Sequence, residues 1–495
     1  MLLQPGLTCW RVAEASRVAF LLDTAAYFTA ARQAMAKARR SIHLLGWAFD
    51  PETRLDPDLE GQGGTVGAFL KELACARPEL DVRLLVWKSA LPIAASQHFF
   101  PHRARKCFHG TPVKFRLDES IPMGACHHQK VLVIDDQLAF CGGGDIATDR
   151  WDSIRHLDDD GRRTMPWGDR HGPRHEVMAM VEGEAAAALG ELVRNRWVRA
   201  TDIRPEPLAS GPPAGNLWPE TVPAEFDNVE VGIARTEPDW RRHPEVRETE
   251  RLHLAAIGAA KSLIYLENQY IASPIYAEAL AARLADPHGP EVVIVSTAKA
   301  PSWFDQMTMD RTRSKFLKTL KAADAHGRFR AYSPYTRRGQ PIIVHSKVSI
   351  IDDRMLRAGS TNLNNRSAGF DTECDVAVEA LEGEAGALTR AAIARYRAKA
   401  ASHFIHADPE ALTRLHAESV SLARAIDDLN GAGRLRPLEP RPLGPLAELI
   451  AAFHLGDPAD PHDSWRPWRR KAGMESARRE FIQELTEAAN EGRLR

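Results

Sequence analysis

The sequence holds 495 residues, 44% of them hydrophobic, with 65 Lys+Arg against 66 Asp+Glu and a net charge of -1. At roughly 100–200 residues per domain, that length excludes a peptide ligand, a disulfide mini-scaffold and a disordered tail. The even charge balance excludes a protein that binds nucleic acid over its whole surface, so any anion site is local.

Taken in chain order, the N-terminal stretch MLLQPGLTCWRVAEASRVAFLLD is interrupted by Arg11, Glu14, Arg17 and Asp23, and no cleavable secretory signal is expected. No run of about 18 uncharged apolar residues follows anywhere, so no spanning helix is expected. The expectation is a soluble chain, cytoplasmic or peripheral at a membrane. Cys9, Cys75, Cys107, Cys126, Cys141 and Cys374 form no C-x-x-C pair and no zinc-ligand spacing, and read as reduced packing residues.

The first half predicts a helix from about Thr24 to Arg39, a strand over Ser41 to Phe49 and a helix near Thr65 to Ala76. The strands DVRLLVW, VKFRLD, HQKVLVI, LAFC and HEVMAMV follow, then a helix to about Val198. His43 and Trp47 read as packing at a sheet edge, and His102 and His109, in HRARKCFHG, as a solvated loop that can meet anionic headgroups. Six prolines between Pro205 and Pro223 mark a linker. The second half predicts VEVGIAR, a helix near Val246 to Lys261, SLIYLENQY, a helix near Tyr276 to Leu284, EVVIVST, a helix near Thr308 to Ala323, RFRAY, IIVHSKVSII, CDVAVEA and a helix to about Ala401. Beyond it, WRPWRRK (Trp465 to Lys471) reads as an Arg-rich turn with a membrane-interface alternative, and residues 474 to 491 as a solvated helix.

An internal repeat organises these elements. His128-Gln129-Lys130, then VLVI, Asp135, DQLAFC and Gly142-Gly143 recurs with identical spacing as His345-Ser346-Lys347, VSII, Asp352, DRMLRA and Gly359-Ser360. Further on, Val181-Glu182-Gly183-Glu184-Ala185 is answered by Leu381-Glu382-Gly383-Glu384-Ala385. The first copy carries an insertion around His156 to Gly172 that reads as a polar loop. The expected fold is α/β: two tandem similar α/β/α sandwich domains with mixed sheets, packed about a pseudo-twofold axis, plus a helical C-terminal extension. The expected boundaries are 1–202, linker 203–226, 227–405 and extension 406–495.

On a strand, residues two apart share a face, so His128 and Lys130 point together, as do His345 and Lys347. Convergence of the two faces would put two imidazoles and two ammonium groups in one pocket. Such a pocket suits a phosphodiester: lysines neutralise the non-bridging oxygens, one neutral imidazole attacks phosphorus, and the other imidazole works as acid and base. Protein supplies the cations, so neither metal nor cofactor is required. Gly142-Gly143 and Gly359-Ser360 would let backbone approach substrate, with Asp145 and Asn362 on the same rim. Asp135 and Asp352, at odd separation from their histidines, complete each motif but fall off the pocket face, in hydrogen bonding at the strand end.

These residues resemble the phospholipase D superfamily, whose signature is H-x-K-x4-D-x6-G-[GS] in two copies. The likeness to eukaryotic-type and related bacterial phospholipases D extends through Arg150-Trp151-Asp152, Ile264 to Tyr270, and Asn362 with Asn365-Arg366-Ser367. It implies that His128 is the nucleophile, forming a phosphohistidine, and His345 the acid and base. It also implies a downstream carboxylate orienting each histidine: Glu176 in the first copy, and in the second either Glu373, which is preferred, or Asp375. The first copy departs from the family's pattern at Asp145, so a substrate hydroxyl or headgroup is the expected contact there.

The expected function is phospholipase D-like cleavage of a phospholipid headgroup, with water or an alcohol as acceptor. The expected partners are a phospholipid and a membrane surface met from outside, with no nucleic acid, and the expected state is a monomer. The alternatives are a cardiolipin-synthase-like transferase, a nucleic-acid phosphodiesterase and a non-catalytic lipid-binding scaffold.

Overall fold

The centre of the molecule is built on a strand that the residue pattern conceals. In β1 (Arg11–Leu22) the outer half carries charges while Val18 to Leu22 are all buried, so the short apolar run VAFLL marks only the inner end of a twelve-residue strand. The computed structural model describes residues 1–58, 64–89, 100–205, 215–300, 303–440 and 456–461.

The first half adds β2 (Ser41–Gly46), β3 (Asp81–Trp87), β4 (Lys114–Asp118), β5 (Val131–Ile134), β6 (Leu138–Gly142), β7 (Arg174–His175) and β8 (Val177–Glu182). The second half adds β9 (Phe226–Glu237), β10 (Val246–Arg247), β11 (Leu263–Asn268), β12 (Glu291–Val295), β13 (Phe329–Pro334), β14 (Ile343–Val344), β15 (Lys347–Ile351), β16 (Met355–Gly359) and β17 (Glu373–Glu379). After them comes β18 (Leu435–Pro437).

The α/β class is as expected, and the two tandem halves are joined through β1 and β9, which pair antiparallel along most of their length, from Arg11↔Ile233 to Val18↔Phe226. The halves therefore share one mixed sheet, in the order β18-β13-β12-β11-β15-β16-β17-β9-β1-β8-β6-β5-β2-β3-β4, with β10 on β9. Outward from the β1–β9 seam, the order runs β8, β6, β5, β2, β3, β4 on one side and β17, β16, β15, β11, β12, β13 on the other. Both outer triplets are parallel and the strands between are antiparallel.

Side-chain alternation divides the core into three layers. Leu132 and Ile134 of β5 face α1 (Asp23–Lys37), α2 (Val66–Ala76) and α3 (Phe100–Phe108) through Phe28, Leu70 and Phe108. Val131 and Val133 face α4 (Glu184–Thr201), in a core that continues across the seam to Val348 and Ile350. The opposite face of the second half packs on α5 (Glu248–Ala259), α6 (Pro274–Ala285) and α7 (Trp303–Ala323) through Leu252, Leu280 and Leu317. α8 (Glu384–Ile405) joins α4 on the shared face, with α9 (Pro409–Ser419) and α10 (Leu422–Leu429) behind it. At about 1.5–3 kcal/mol per fully buried large apolar side chain, this common core ties the halves together.

Three local expectations change. The HRARKCFHG stretch is not a loop: α3 covers it as far as Phe108, with Ala104 and Phe108 buried. The insertion is tied down: Arg163 and His156 are buried, and Asp158 accepts hydrogen bonds from the Thr336 hydroxyl and the Arg338 backbone of the other half. The extension is not only helical, because β18 pairs antiparallel with β13. WRPWRRK and residues 474 to 491 lie outside the described residues, as does the middle of the Pro-rich segment.

Candidate active site

Each motif histidine is stitched by its backbone to the other half of the chain. His128 and Lys130 lie on the extended approach to β5, and His128 N–H donates to the Thr372 carbonyl at 3.0 Å. In the second copy β14 pairs parallel with β7, and His345 N–H donates to the His175 carbonyl at 2.8 Å. The residue after each acceptor is a glutamate, and this fixes which carboxylate meets which ring.

The pairing is crossed relative to the sequence expectation. His128 Nδ1 lies 2.9 Å from Glu373 Oε2, and His345 Nδ1 lies 2.5 Å from Glu176 Oε2. Glu373 is the second-copy carboxylate, as preferred, but it serves the first-copy histidine. Glu373 also accepts from Ser360 Oγ at 2.5 Å and Ser367 Oγ at 2.6 Å, while Glu176 accepts from Val177 N–H at 3.1 Å. A carboxylate on Nδ1 holds the ring with Nε2 free to react.

Asp375, the other option, is buried on Arg357: Nη1 donates to Oδ2 at 2.5 Å, and Oδ1 accepts from the backbone of Ser360 and Thr361. The glycines answer to these carboxylates and not to a substrate. A Cβ on Gly143 would stand 2.3 Å from Glu176 Oε1, and one on Gly359 would stand 1.8 Å from Asp375 Oδ1.

The lysines sit inside the constellation. Lys130 Nζ donates to the His128 carbonyl at 2.8 Å and faces Asp145 Oδ2 at 3.4 Å. Lys347 Nζ lies 3.2 Å from both Gln269 Oε1 and His345 Nδ1 and donates to the His345 carbonyl. Burial, then Lys130 and Lys347, holds the His128 imidazolium well below its ordinary value. Burial, then Lys347 and Arg174, does the same to His345. Burial also raises Glu176 to about 7 and Glu373 well above the carboxylate range. Burial and the neighbouring cations therefore favour the neutral form of both rings.

Asp135 and Asp352 stand away from this chemistry, as their odd spacing implies. Asp135 accepts from the N–H groups of Arg39, Arg40 and Ser41 at 2.7–2.8 Å, and Asp352 from those of Lys261, Ser262 and Leu263 at 2.6–2.8 Å. Each fixes the start of a neighbouring strand from a left-handed turn, at φ 54° in both copies.

Asp145 does not line the rim. Oδ1 accepts from Trp47 and Ala48 N–H at 2.9 and 3.1 Å, and Oδ2 faces Lys130. Ser360 serves Glu373. Asn362 keeps a buried Oδ1 with no partner, an acceptor available to a ligand.

Reading the residues did not single out Ser367, Gln269, Trp47 or Arg174 for these positions. Ser367 and Gln269 fall in the NRS and ENQY segments, whose likeness to the family carried no role. Trp47 stacks on Trp87 and lies 5.9 Å from Lys130 Nζ, so it adjoins the site and not merely a sheet edge. Arg174 is buried with Nη1 unpartnered, and its charge bears on His345 and Glu176; only its position beside β7 reveals it.

Paired imidazoles backed by carboxylates, with lysines between them, define a site for chemistry at a phosphoryl centre. Residues 254–389 match a family model described as cardiolipin synthase, PLD-like domain. Phospholipase D1 of Saccharomyces cerevisiae is 24% identical over 450 residues, which cover 72% of this chain and 26% of that protein. Phospholipase D alpha 4 of Arabidopsis thaliana is 28% identical over 285 residues, covering 48% of this chain and 37% of that protein. The chain thus spans between about a quarter and two fifths of the length of these two relatives. Cardiolipin synthase A of Pseudomonas aeruginosa is 24% identical over 420 residues, covering 84% of this chain and 73% of the relative. Phosphatidylserine synthase of Haemophilus influenzae Rd KW20 shares the fold, with a TM-score of 0.53 at 12% identity over 86% of this chain and 97% of that one. The family model, the phospholipase D and cardiolipin synthase relatives and the shared fold support membership of the phospholipase D superfamily.

Proposed function

We propose that this chain cleaves the headgroup phosphodiester of a phospholipid through a phosphohistidine, passing the phosphatidyl group to water or to an alcohol. The observation that carries this reading is the crossed pair of buried contacts, His128 to Glu373 and His345 to Glu176, with Lys130 and Lys347 beside them. His128 Nε2 attacks phosphorus, while the headgroup oxygen leaves with the proton of His345, which enters this step as an imidazolium favoured by Glu176 and by the bound phosphate anion. His345 then takes a proton from the incoming water or alcohol, whose oxygen displaces His128 and forms phosphatidic acid or a phosphatidyl-alcohol. The lysines, with Arg174, bind the non-bridging oxygens and stabilise the charge that builds on them, while Asn362 Oδ1 can accept from a substrate hydroxyl.

The strand order and the repeated motif support two units, 1–202 and 227–405, that contribute one half-site each. No helix among the described residues is long and apolar enough to cross a membrane, and contact from the aqueous side fits a lipid substrate. A second reading, transfer to another lipid as in a cardiolipin synthase, is favoured by the family description matched over residues 254–389 and by the coverage of the Pseudomonas relative. The test incubates the protein with mixed phospholipids and a primary alcohol, and with DNA in parallel. Phosphatidic acid or phosphatidyl-alcohol that vanishes in His128→Ala supports cleavage, cardiolipin formation supports the second reading, and DNA cleavage alone overturns both.

A further inference from the structure

We propose that Asp23, His156 and His403 bind one divalent transition-metal ion of the zinc class, at the seam where the two halves meet behind Glu176. These residues come from the N-terminus of α1, the insertion and the end of α8. With His175 they form a buried group whose ligand atoms all lie within 4.8 Å of one another. His156 Nε2 and His403 Nε2 are 3.0 Å apart, and Asp23 Oδ2 is 3.4 Å from each. Ligand atoms around a tetrahedral zinc with bonds of about 2.0–2.1 Å are separated by about 3.3–3.4 Å, so this triangle has the size of one face of such a site.

The hydrogen bonds around the triangle direct lone pairs into it. His156 Nδ1 lies 2.9 Å from Asp152 Oδ2, so its proton sits on Nδ1 and Nε2 presents a lone pair to the centre. A carboxylate behind a ligating imidazole is the usual support of a metal-bound histidine. Asp152 is itself held by Arg163 and by the Arg174 N–H.

Asp23 Oδ1 is occupied by His175 Nδ1 at 2.9 Å and the Glu176 N–H at 3.1 Å, whereas Asp23 Oδ2 is buried with no hydrogen-bond partner. Leaving a buried carboxylate oxygen unpaired is costly, and a cation at the centre of the triangle removes that cost. His175 is excluded from the ligand set because its Nε2 is engaged by Glu267 Oε2 at 2.9 Å and its Nδ1 by Asp23. Three protein ligands remain, with a fourth position for water. His403 also lines a surface cleft with Leu22, Ile154, His406 and Ala407, which gives an ion a way in.

The ion would act on structure. Asp23 holds the Glu176 backbone from both sides, its N–H donating to the Glu176 carbonyl at 2.7 Å and its Oδ1 accepting from the Glu176 N–H at 3.1 Å. Anchoring Asp23 to α8 and to the insertion therefore fixes the carboxylate that orients His345.

The test measures metal in the full-length wild-type chain, purified without chelator, by elemental analysis, and then titrates chelator-stripped protein with Co2+ and Zn2+. One equivalent of bound metal, with the visible absorption of four-coordinate Co2+, supports the site. The same protein should melt earlier after chelation and recover on adding Zn2+. His403→Gln, at the cleft side of the cluster, and His156→Ala should lose the Co2+ signal, and the melting temperature of any folded variant should no longer respond to Zn2+. Metal-free wild type with no Co2+ spectrum overturns the proposal in favour of a purely hydrogen-bonded cluster. So does metal retained at wild-type level in both variants.

Discussion

Glu373 reaches across 245 positions of sequence to hold His128, its Oε2 at 2.9 Å from Nδ1, while the first-half Glu176 holds His345. Neither half of the chain therefore contains a complete histidine–carboxylate pair, although each contains a complete motif.

That exchange predicts which variant copies which. Glu373→Gln should slow phosphoenzyme formation by about 10³-fold or more, because the His128 tautomer is lost while the ring remains. Glu176→Gln should act on leaving-group protonation and on turnover through His345. Rapid-quench trapping of labelled phosphatidyl enzyme separates the two; a normal burst in Glu373→Gln would break the assignment.

The pH profile follows from the same burial. The proposed attack uses His128 as a neutral imidazole, and burial beside Lys130 and Lys347 depresses it, so the acid limb of kcat/KM should fall below the ordinary histidine range. Burial pulls Lys347 down to about 7, with Glu176 and Glu373 raising it and Lys130 and Arg174 lowering it further. Its charge is present below that value and lost above it, so kcat/KM should decline from about pH 7 upward. Lys347→Arg keeps the charge and should remove the alkaline limb, and an unchanged limb would assign it to another group.

Arg357 and Asp375 are both fully buried, and among the described residues Arg357 has no other charged partner in its hydrogen bonds. Asp375→Ala should cost about 3–5 kcal/mol, since it leaves a guanidinium buried without its counter-charge. Urea unfolding measures this, and a loss below about 1 kcal/mol would show that water or Ser349 satisfies the arginine.

Asp352→Ala removes the acceptor of three strand-start N–H groups and should lower stability by about 2–4 kcal/mol. Assayed below its melting temperature, this variant should retain kcat within about tenfold. Loss of turnover in a fully folded Asp352→Ala would give the motif aspartate a chemical role that its position denies it.

The repeated H-x-K motif and its aspartates Asp135 and Asp352 were legible because they are local and recur at constant spacing. The succession of strands along each half followed from hydrophobic runs such as VLVI and EVVIV, but their order in the sheet did not. Partner choice was not legible. Glu176 lies closer in sequence to His128 than to His345, and only the β7–β14 bridge and the His128–Thr372 hydrogen bond reverse that expectation. β1 was hidden by its charged outer half, and with it the pairing that makes one sheet of two. Asp145 read as a rim residue because a carboxylate two positions past Gly143 gives no sign that Trp47 and Ala48 take its oxygen. Asp23, His156 and His403 lie in three distant elements with no shared spacing, so nothing in the linear order announces them.

The placement of β18 bears on how the protein behaves at high concentration. A long open sheet offers unpaired backbone at both ends, where a second molecule can add a strand. At one end β4 is only five residues long, with Lys114 and Arg116 turned outward. At the other, β18 covers β13 with three residues, of which Arg436 and Pro437 are exposed, and a proline has no N–H to offer a newcomer. A chain cut before Leu435 would keep every residue of the candidate active site and yet present the bare edge of β13, trading solubility for a surface that polymerises.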